Sequence, residues 1–188
     1  LTRSSAASDV YKRQKETLTG FKWIGKLIKD FPALNFIGGG EESFGYLIGD
    51  AIRDKDAVTA TLLACEIGTF AKNNNQSFYE ILVECYRKFG AYKDKLISFT
   101  KKGKEGADKI KGMMEGYRKN PPKEIGGIMV TQLEDYLISE RAFLLENRSE
   151  KINLPVADVL IFLLEDRSKI AIRPSGTEPK IKFYFSVN

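Results

Sequence analysis

The chain has 188 residues, 43% of them hydrophobic and 29% charged, and it carries a formal net charge of +5. These values fit a globular protein of one domain or two small ones, and they exclude global disorder, a collagen and a coiled coil. The sequence has no histidine, which excludes Ser-His-Asp and Cys-His catalysis, a histidine base and histidine-ligated metals.

The first predicted elements follow a segment without a clear pattern. Residues 1–14 show no apolar period, and we leave them unassigned, as a disordered start or as sequence foreign to the domain. Apolar residues then recur at helical spacing from Phe21 to Phe31, which predicts a helix that Thr19 caps and Pro32 ends. The apolar stretch from Leu34 to Ile37 predicts a strand that leads into three glycines.

Two helices are predicted next. The segment from Ala57 to Phe70 is apolar on most faces, so we expect a buried helix that Asp54 or Asp56 caps. The segment from Ser77 to Glu80 has the capping-box pattern, in which the serine and the glutamate each cover a free backbone N–H. It predicts the start of another helix, which Gly90 ends.

Strand patterns dominate the remainder of the chain. Strands are predicted over residues 96–100, 128–133, 159–164, 170–173 and 181–187, with one helix over residues 104–118. The polar segment from Glu165 to Ser168 predicts a hairpin turn, while residues 139–155 are ambiguous. Several strands with few helices between them predict an antiparallel sheet with helices on one side.

These patterns divide the chain into two pieces. Residues 15–76 have the helix–strand–helix order of part of an α/β domain, but with only one convincing strand they cannot complete a sheet. Residues 77–188 have the pattern of a whole α+β domain, an antiparallel sheet flanked by helices. We therefore expect the end of an α/β domain that begins upstream, followed by a second domain.

Two carboxylates and a hydroxyl follow the three glycines, as Glu41, Glu42 and Ser43. Glycine allows a sharp turn and a close approach of the backbone to a ligand. Carboxylates accept hydrogen bonds from the paired hydroxyls of a sugar, and serine both donates and accepts. On spacing alone, a plain polar loop is favoured over a site for a polyol.

A second group of polar residues runs from Arg173 to Lys180, between two predicted strands. The planar guanidinium of Arg173 can hold a phosphate through two hydrogen bonds. Ser175 and Thr177 add hydroxyl donors, and Gly176 leaves room for backbone N–H groups to reach an anion. The alternative is an ordinary hairpin turn, but the convergence of donors within so short a segment favours an anion site.

Four segments of the chain carry a family resemblance. They run from Glu16 to Gly25, Gly40 to Gly45, Ile52 to Asp56 and Arg173 to Lys180. In this order they resemble the C-terminal part of the α-D-phosphohexomutase family, which includes phosphoglucomutases and phosphomannomutases, and most of all its phosphoglucomutase and phosphopentomutase branch. The resemblance implies that residues 15–76 are the end of domain 3, and residues 77–188 are domain 4, of a four-domain enzyme.

The resemblance also implies roles for single residues. The segment from Gly40 to Gly45 looks like the sugar-specificity loop of the family, so Glu41 and Ser43 would bind sugar hydroxyls and Glu42 would orient them. Thr19 and Lys55 would also contact the substrate. In the loop that looks like the family's phosphate-binding loop, the phosphate that is not transferred would be held by Arg173, Ser175, Gly176 and Thr177.

The catalytic groups of the family are missing from this chain. The family's nucleophile is a phosphorylated serine in a Ser-His-Asn-Pro-type loop, which a chain without histidine cannot contain. Its Mg²⁺ site is an Asp-x-Asp-x-Asp loop, whereas Asp54 and Asp56 make only a pair. The resemblance implies a full-length, Mg²⁺-dependent phosphotransferase that interconverts hexose 1-phosphate and 6-phosphate through a hexose 1,6-bisphosphate. In this chain we expect no catalytic residue and no metal ligand, and we predict that it is inactive alone.

Two alternatives stay open, a phosphopentomutase fragment and a free-standing, non-catalytic phosphosugar-binding module. The expected partners are a small phosphosugar and the missing N-terminal domains, without a membrane. Nucleic acid is not expected, because the cations are interleaved with acids rather than clustered with aromatic residues. Cys65 and Cys85 lie in apolar helical patterns that fit neither a disulfide framework nor a zinc site, which predicts a reducing, cytoplasmic location.

Overall fold

The computed structural model describes residues 14, 15, 17, 18, 20–41, 45–101, 103–176 and 178–188. Most of the unassigned segment 1–14 therefore lies outside the described residues. The chain divides into two compact units between Phe89 and Gly90, whereas the sequence analysis divided it after residue 76.

The described residues of the first unit form three helices and a short hairpin. Its elements are α1 (Phe21–Asp30), β1 (Gly38–Gly40), β2 (Tyr46–Ile48), α2 (Ala57–Asn73) and α3 (Phe78–Phe89). Strand β1 begins at Gly38 rather than at Leu34, because its antiparallel partner β2 pairs with the glycines and not with the apolar residues before them. The small hydrophobic core of this unit consists of Phe21, Ile24 and Leu47.

The caps predicted for α2 and α3 are present, whereas the cap position of α1 is occupied by Gly20, without a side-chain cap, rather than by Thr19 as predicted. The carboxylate of Asp56 accepts hydrogen bonds from the backbone N–H groups of Val58 and Thr59, at 3.2 and 3.0 Å. At α3, the backbone N–H of Ser77 donates to Glu80 at 2.6 Å, and the backbone N–H of Glu80 donates to the Ser77 hydroxyl at 3.2 Å. These contacts satisfy N–H groups that have no partner inside the helix.

The prediction that α2 is buried is wrong for this chain. Ala71 is its one buried residue, whereas Val58, Leu62 and Phe70 are exposed. Helix α2 is apolar on most faces, but its main contacts within the first unit are with strand β2 and helix α3. These neighbours cover a small part of its surface, and most of its apolar residues contact solvent.

The second unit is an antiparallel sheet with one long helix among its described residues. Its elements are β3 (Lys93–Thr100), α4 (Gly103–Lys119), β4 (Glu124–Ile125), β5 (Ile128–Asp135), β6 (Glu140–Phe143), β7 (Arg148–Lys151), β8 (Leu160–Leu164), β9 (Lys169–Pro174) and β10 (Lys180–Val187). The strand order is β3-β10-β9-β8-β5-β6-β7, and β4 pairs with β5 outside this path. The predicted class, an α/β piece followed by an α+β domain with an antiparallel sheet, is confirmed.

The core of the second unit lies between α4 and one face of the sheet. Helix α4 contributes Ile110 and Met114, and the Tyr117 ring meets Phe162 edge-on with centroids 6.2 Å apart. The strands contribute the buried residues Val130, Leu160, Phe162, Leu164, Ile170, Ile172 and Ile181. Alternate residues of each strand point to this face, so their neighbours on β9 and β10 point to the opposite face of the sheet.

The predicted hairpin at Glu165 to Ser168 is confirmed. It joins β8 to β9, which pair from Leu163 and Lys169 onward. The Leu164 N–H donates to the Ser168 carbonyl at 2.9 Å, and Arg167 has the positive φ of 72° that such turns place near their end. This turn fixes the register of β9 and hence the position of Arg173 at the end of that strand.

The ambiguous segment 139–155 forms a second hairpin that charged residues stabilise. Glu134 on β5 is buried and accepts hydrogen bonds from Arg141 Nε at 2.6 Å and from the Tyr136 hydroxyl at 3.0 Å. Arg141 also donates to Glu150 on β7 at 2.6 Å, and this bond is the largest cause of the lowered pKa of Glu150. These ion pairs join β5, β6 and β7 where an apolar alternation is lacking.

Candidate functional site

The first candidate loop is the connection between β1 and β2. The backbone N–H of Glu41 donates to the Gly45 carbonyl at 3.0 Å, so the two ends of the loop are held together. The Glu41 side chain is only 12% exposed. Glu42 and Ser43 lie outside the described residues, as does Thr19.

Lys55 contacts this loop from the segment before α2. Its Nζ lies 3.8 Å from Glu41 Oε1 and 5.7 Å from the centroid of the Phe21 ring. The Lys55 side chain is 58% exposed, so the ammonium faces solvent while its stem lies along the loop. The structure thus brings together Glu41 and Lys55, two of the four residues predicted to contact the sugar.

Asp56 fixes the backbone next to Lys55. Its N–H donates to the Tyr46 carbonyl on β2 at 2.8 Å, and its carboxylate caps α2. The hydrogen bond from the backbone N–H of Thr59 is the largest cause of the lowered pKa of Asp56, because it favours the charged carboxylate. The same residue therefore attaches the start of α2 to the hairpin and holds Lys55 beside Glu41.

This arrangement presents a cation and an acceptor side by side. A carboxylate accepts hydrogen bonds, and a lysine ammonium has three donors and no acceptor capacity. A ligand with several hydroxyls can donate to Glu41 and accept from Lys55. The pair therefore suits a polyol, and the exposed ammonium also suits a polyol that carries a negative charge.

The second candidate loop connects β9 to β10. Ser175 N–H donates to the Lys180 carbonyl at 2.7 Å, and Glu178 N–H donates to the Ser175 hydroxyl at 3.3 Å. The backbone N–H of Ser175 thus closes the loop, and its hydroxyl oxygen accepts a bond within it. Gly176 is exposed at the tip, and Thr177 lies outside the described residues.

Arg173 is joined by a cation that the sequence analysis missed. Arg173 on β9 pairs directly with Lys182 on β10, and Lys182 is also opposite Ser98 on β3. Directly opposed residues of an antiparallel pair share a face, so Arg173 and Lys182 lie on the face of the sheet opposite the core. The alternation of residues 181–187 could have placed Lys182 on this face, but its pairing with Arg173 depends on the register.

The comparison with known proteins gives the family. A sequence profile described as phosphoglucomutase/phosphomannomutase, alpha/beta/alpha domain III, matches residues 3–89. A phosphoglucomutase of Staphylococcus haemolyticus (strain JCSC1435) is 41% identical over 175 residues, which are 93% of this chain and 32% of that protein. The chain belongs to the phosphohexomutase family and corresponds to its C-terminal portion.

Other members of the phosphohexomutase family extend the comparison. A phosphoglucomutase of Staphylococcus aureus (strain N315) is 41% identical over all 188 residues, which are 34% of its own length. The chain thus spans about a third of the curated relatives it matches. The profile match begins at residue 3 and so includes most of the segment that the sequence analysis left unassigned.

A solved structure shares the fold of this phosphohexomutase chain. It is the open form of the exocytosis-sensitive phosphoprotein pp63/parafusin, a phosphoglucomutase from Paramecium, with a TM-score of 0.59. The likeness covers 89% of this chain and 28% of that one, at 24% sequence identity. At this identity the comparison supports the fold alone.

The Mg²⁺ that the phosphohexomutase family implies does not fit the residues present. Among the described residues, no group of three or more cysteine and carboxylate side chains is placed to hold a metal ion. The Asp56 carboxylate is occupied by the N–H groups of α2, and Asp54 accepts from the Lys55 N–H at 2.7 Å.

Within the described ranges, no helix is long and apolar enough to span a membrane.

Proposed function

We propose that this chain is the substrate-binding part of a phosphoglucomutase-like enzyme that interconverts hexose 1-phosphate and hexose 6-phosphate. The observation that carries the proposal is the Glu41–Lys55 pair at the end of the β1–β2 hairpin, in a chain whose relatives are phosphoglucomutases. The pair offers an acceptor and a donor to the hydroxyls of one sugar. The loop from Arg173 to Lys180 supplies the cationic site that a phosphate needs.

In this proposal the sugar is held at the first loop. Glu41 accepts hydrogen bonds from sugar hydroxyls, and Ser43 adds a group that donates and accepts. Thr19, which precedes the loop in the sequence, and Lys55, which follows it, also contact the substrate. Because Glu41 is mostly buried and paired with Lys55, its carboxylate is already oriented before a ligand arrives.

The phosphate that is not being transferred is held at the second loop. Arg173 provides the planar fork, and Ser175, Gly176 and Thr177 provide donors at the tip of the loop. The neighbouring Lys182 raises the positive potential of the same face. A tetrahedral dianion therefore gains one bidentate ion pair and one longer-range attraction at this loop.

The proposed reaction divides binding from bond making. A phosphoserine elsewhere in the longer protein donates its phosphoryl group to the free hydroxyl of the sugar phosphate: the serine O–P bond breaks, the sugar O–P bond forms, and the hydroxyl proton passes to the serine oxygen. The resulting hexose 1,6-bisphosphate turns over and returns its other phosphate to the serine. Because Glu41 and Lys55 can meet hydroxyls in two orientations, and Arg173 can hold either phosphate, this chain orients both half-reactions and performs neither alone.

A reducing compartment such as the cytoplasm is the proposed location. Cys65 and Cys85 are free and exposed thiols, which supports it.

A pentose phosphate is the alternative substrate. It has the same phosphate with fewer hydroxyls, and ribose 5-phosphate is therefore the competing ligand for every binding measurement.

Calorimetric titration of Arg173→Ala tests the proposal. Loss of a charge-assisted pair with a phosphate weakens binding of glucose 6-phosphate by about tenfold or more, while binding of glucose without phosphate stays the same. Lys169→Ala is the matched control, since Lys169 is a half-buried cation of the same strand and, by alternation, of the same face. Equal losses for both variants, or for glucose and glucose 6-phosphate, would contradict the phosphate role.

A further inference from the structure

Gly45, at the end of the β1–β2 loop, lies where three side chains meet. A methyl group at its Cα would lie 2.9 Å from Phe21 Cε2, 3.0 Å from Glu41 Oε1 and 3.0 Å from Lys55 Cδ. The two carbon–carbon separations are shorter than van der Waals contact, about 3.5–4.0 Å, and the separation from the Glu41 oxygen is likewise tighter than ordinary contact. Gly45 is buried, so a side chain there cannot turn away into solvent.

The three neighbours differ in how far they can move. The Phe21 ring is 3% exposed and packs in the core of the first unit with Ile24 and Leu47, and close-packed interiors resist displacement. Lys55 is a flexible and exposed side chain, and the contact with Glu41 is at Oε1, the far end of its side chain. A side chain at position 45 would therefore displace Lys55 and Glu41 rather than Phe21.

We propose that Gly45 is a positioning residue, whose missing side chain allows Glu41 and Lys55 to approach each other over the Phe21 ring. The inference rests on the proposed function, since it assigns to Gly45 the geometry of the sugar-binding pair. Phe21 acts as the floor of this pair, with its ring 5.7 Å from the Lys55 ammonium. Affinity for the sugar, rather than stability of the fold, is the property that Gly45 controls.

The variant Gly45→Ala tests this inference, with Gly39→Ala as its control. A methyl group at Gly39 would lie 3.3 Å from Ile24 and from Phe36, so its nearest neighbours belong to the same core and not to Glu41 or Lys55. Nuclear Overhauser contacts between the Lys55 side chain and the Phe21 ring are expected in the wild type and in Gly39→Ala. They are expected to be lost in Gly45→Ala.

Binding provides the second measurement. Gly45→Ala is expected to weaken binding of glucose 6-phosphate by about tenfold and to leave binding of inorganic phosphate unchanged, while Gly39→Ala changes neither. If the wild type binds glucose 6-phosphate and Gly45→Ala binds it equally well, the inference is overturned and the proposed function stays intact. A wild-type chain that binds no glucose 6-phosphate would overturn the proposed function, and the Lys55–Phe21 contacts would then decide the positioning role alone.

If Gly45→Ala does not fold, Phe21→Leu decides the question from the other side. Leucine keeps an apolar residue in the core but removes the ring beneath Lys55. Weaker binding of glucose 6-phosphate with unchanged binding of inorganic phosphate supports the positioning role. Unchanged binding of both ligands overturns it.

Discussion

The guanidinium of Arg118, in the last turn of α4, donates from Nε to the carboxylate of Asp135, at the end of β5, at 2.9 Å. Its Nη2 donates to Asp158 at 2.5 Å. Burial opposes the charged guanidinium, but the hydrogen bonds to Asp158 and Asp135 outweigh it and raise the pKa of Arg118. Asp135 is only 6% exposed, so this ion pair joins the helix to the sheet in a largely dry environment.

Replacing Arg118 is therefore expected to destabilise the second unit. Arg118→Met leaves the Asp135 carboxylate buried without a cation, which costs about 3 kcal/mol of the free energy of unfolding. Urea denaturation followed by circular dichroism measures the loss. Lys111→Met is the control on the same helix, because the Lys111–Glu115 pair is exposed at 3.9 Å and contributes less than about 1 kcal/mol. Similar losses for the two variants would show that the Arg118–Asp135 pair stabilises the second unit no more than an exposed ion pair does.

The sequence predicted elements whose cause is local. The capping box at Ser77 and Glu80 and the hairpin turn before Ser168 depend on residues a few positions apart, and both are present. The hairpin of β6 and β7 could not be predicted, because β7 is exposed along its whole length and has no apolar alternation. Its pairing depends on Arg141 and on Glu134, a residue of another strand.

Glu41→Gln tests the sugar-binding role of the first loop. The amide is a weaker acceptor than the carboxylate and does not pair with Lys55, so binding of glucose 6-phosphate is expected to weaken about tenfold. Binding of inorganic phosphate is expected to stay the same. The control is Glu66→Gln, an exposed glutamate of α2. Weaker phosphate binding by Glu41→Gln would show that the sugar-binding role is misplaced.

The cap of α2 predicts a dependence of stability on pH. Hydrogen bonds from Thr59, and a weaker one from Val58, lower the pKa of Asp56 below its ordinary value of 3.8. A carboxyl whose pKa is lower in the folded state stabilises the fold above the ordinary value. This stabilisation is lost as the pH falls through the folded-state value.

Asp56→Asn isolates this effect. The amide oxygen of asparagine still accepts from the helix but does not titrate. The difference in unfolding free energy between wild type and Asp56→Asn is expected to be constant between about pH 5 and about pH 7 and to shrink below about pH 4. A difference that stays constant down to about pH 2 would contradict the role of the charged cap.

Turnover tests the division between binding and chemistry. The chain contains no histidine and hence no Ser-His-Asn-Pro-type loop, so we expect no conversion of glucose 1-phosphate to glucose 6-phosphate by the 188-residue chain. A coupled assay with glucose 6-phosphate dehydrogenase detects the product, with one of the staphylococcal phosphoglucomutases as the positive control. Turnover that persists after repeated purification would place a nucleophile within this chain.

The candidate site was predictable where neighbouring residues form it. Arg173 lies near the end of β9, and Ser175 and Gly176 follow it directly, so their proximity follows from the sequence alone. The contact of Glu41 with Lys55 could not be derived from spacing, since it needs the segment before α2 to pack on the hairpin. The approach of Phe21 to Gly45 needs α1 to pack there as well. The pairing of Lys182 with Arg173 likewise required the register of β9 and β10.

The most direct test of the central claim is a titration of glucose 6-phosphate into the ¹⁵N-labelled chain at low salt, followed through backbone amide shifts. The shifts are expected to concentrate at Ser175, Gly176 and Thr177, with a second group around Glu41. Larger shifts are expected with glucose 6-phosphate than with sulfate at the same concentration. No shifts at these positions, or shifts spread over the exposed lysines, would contradict the claim that the chain binds a phosphosugar.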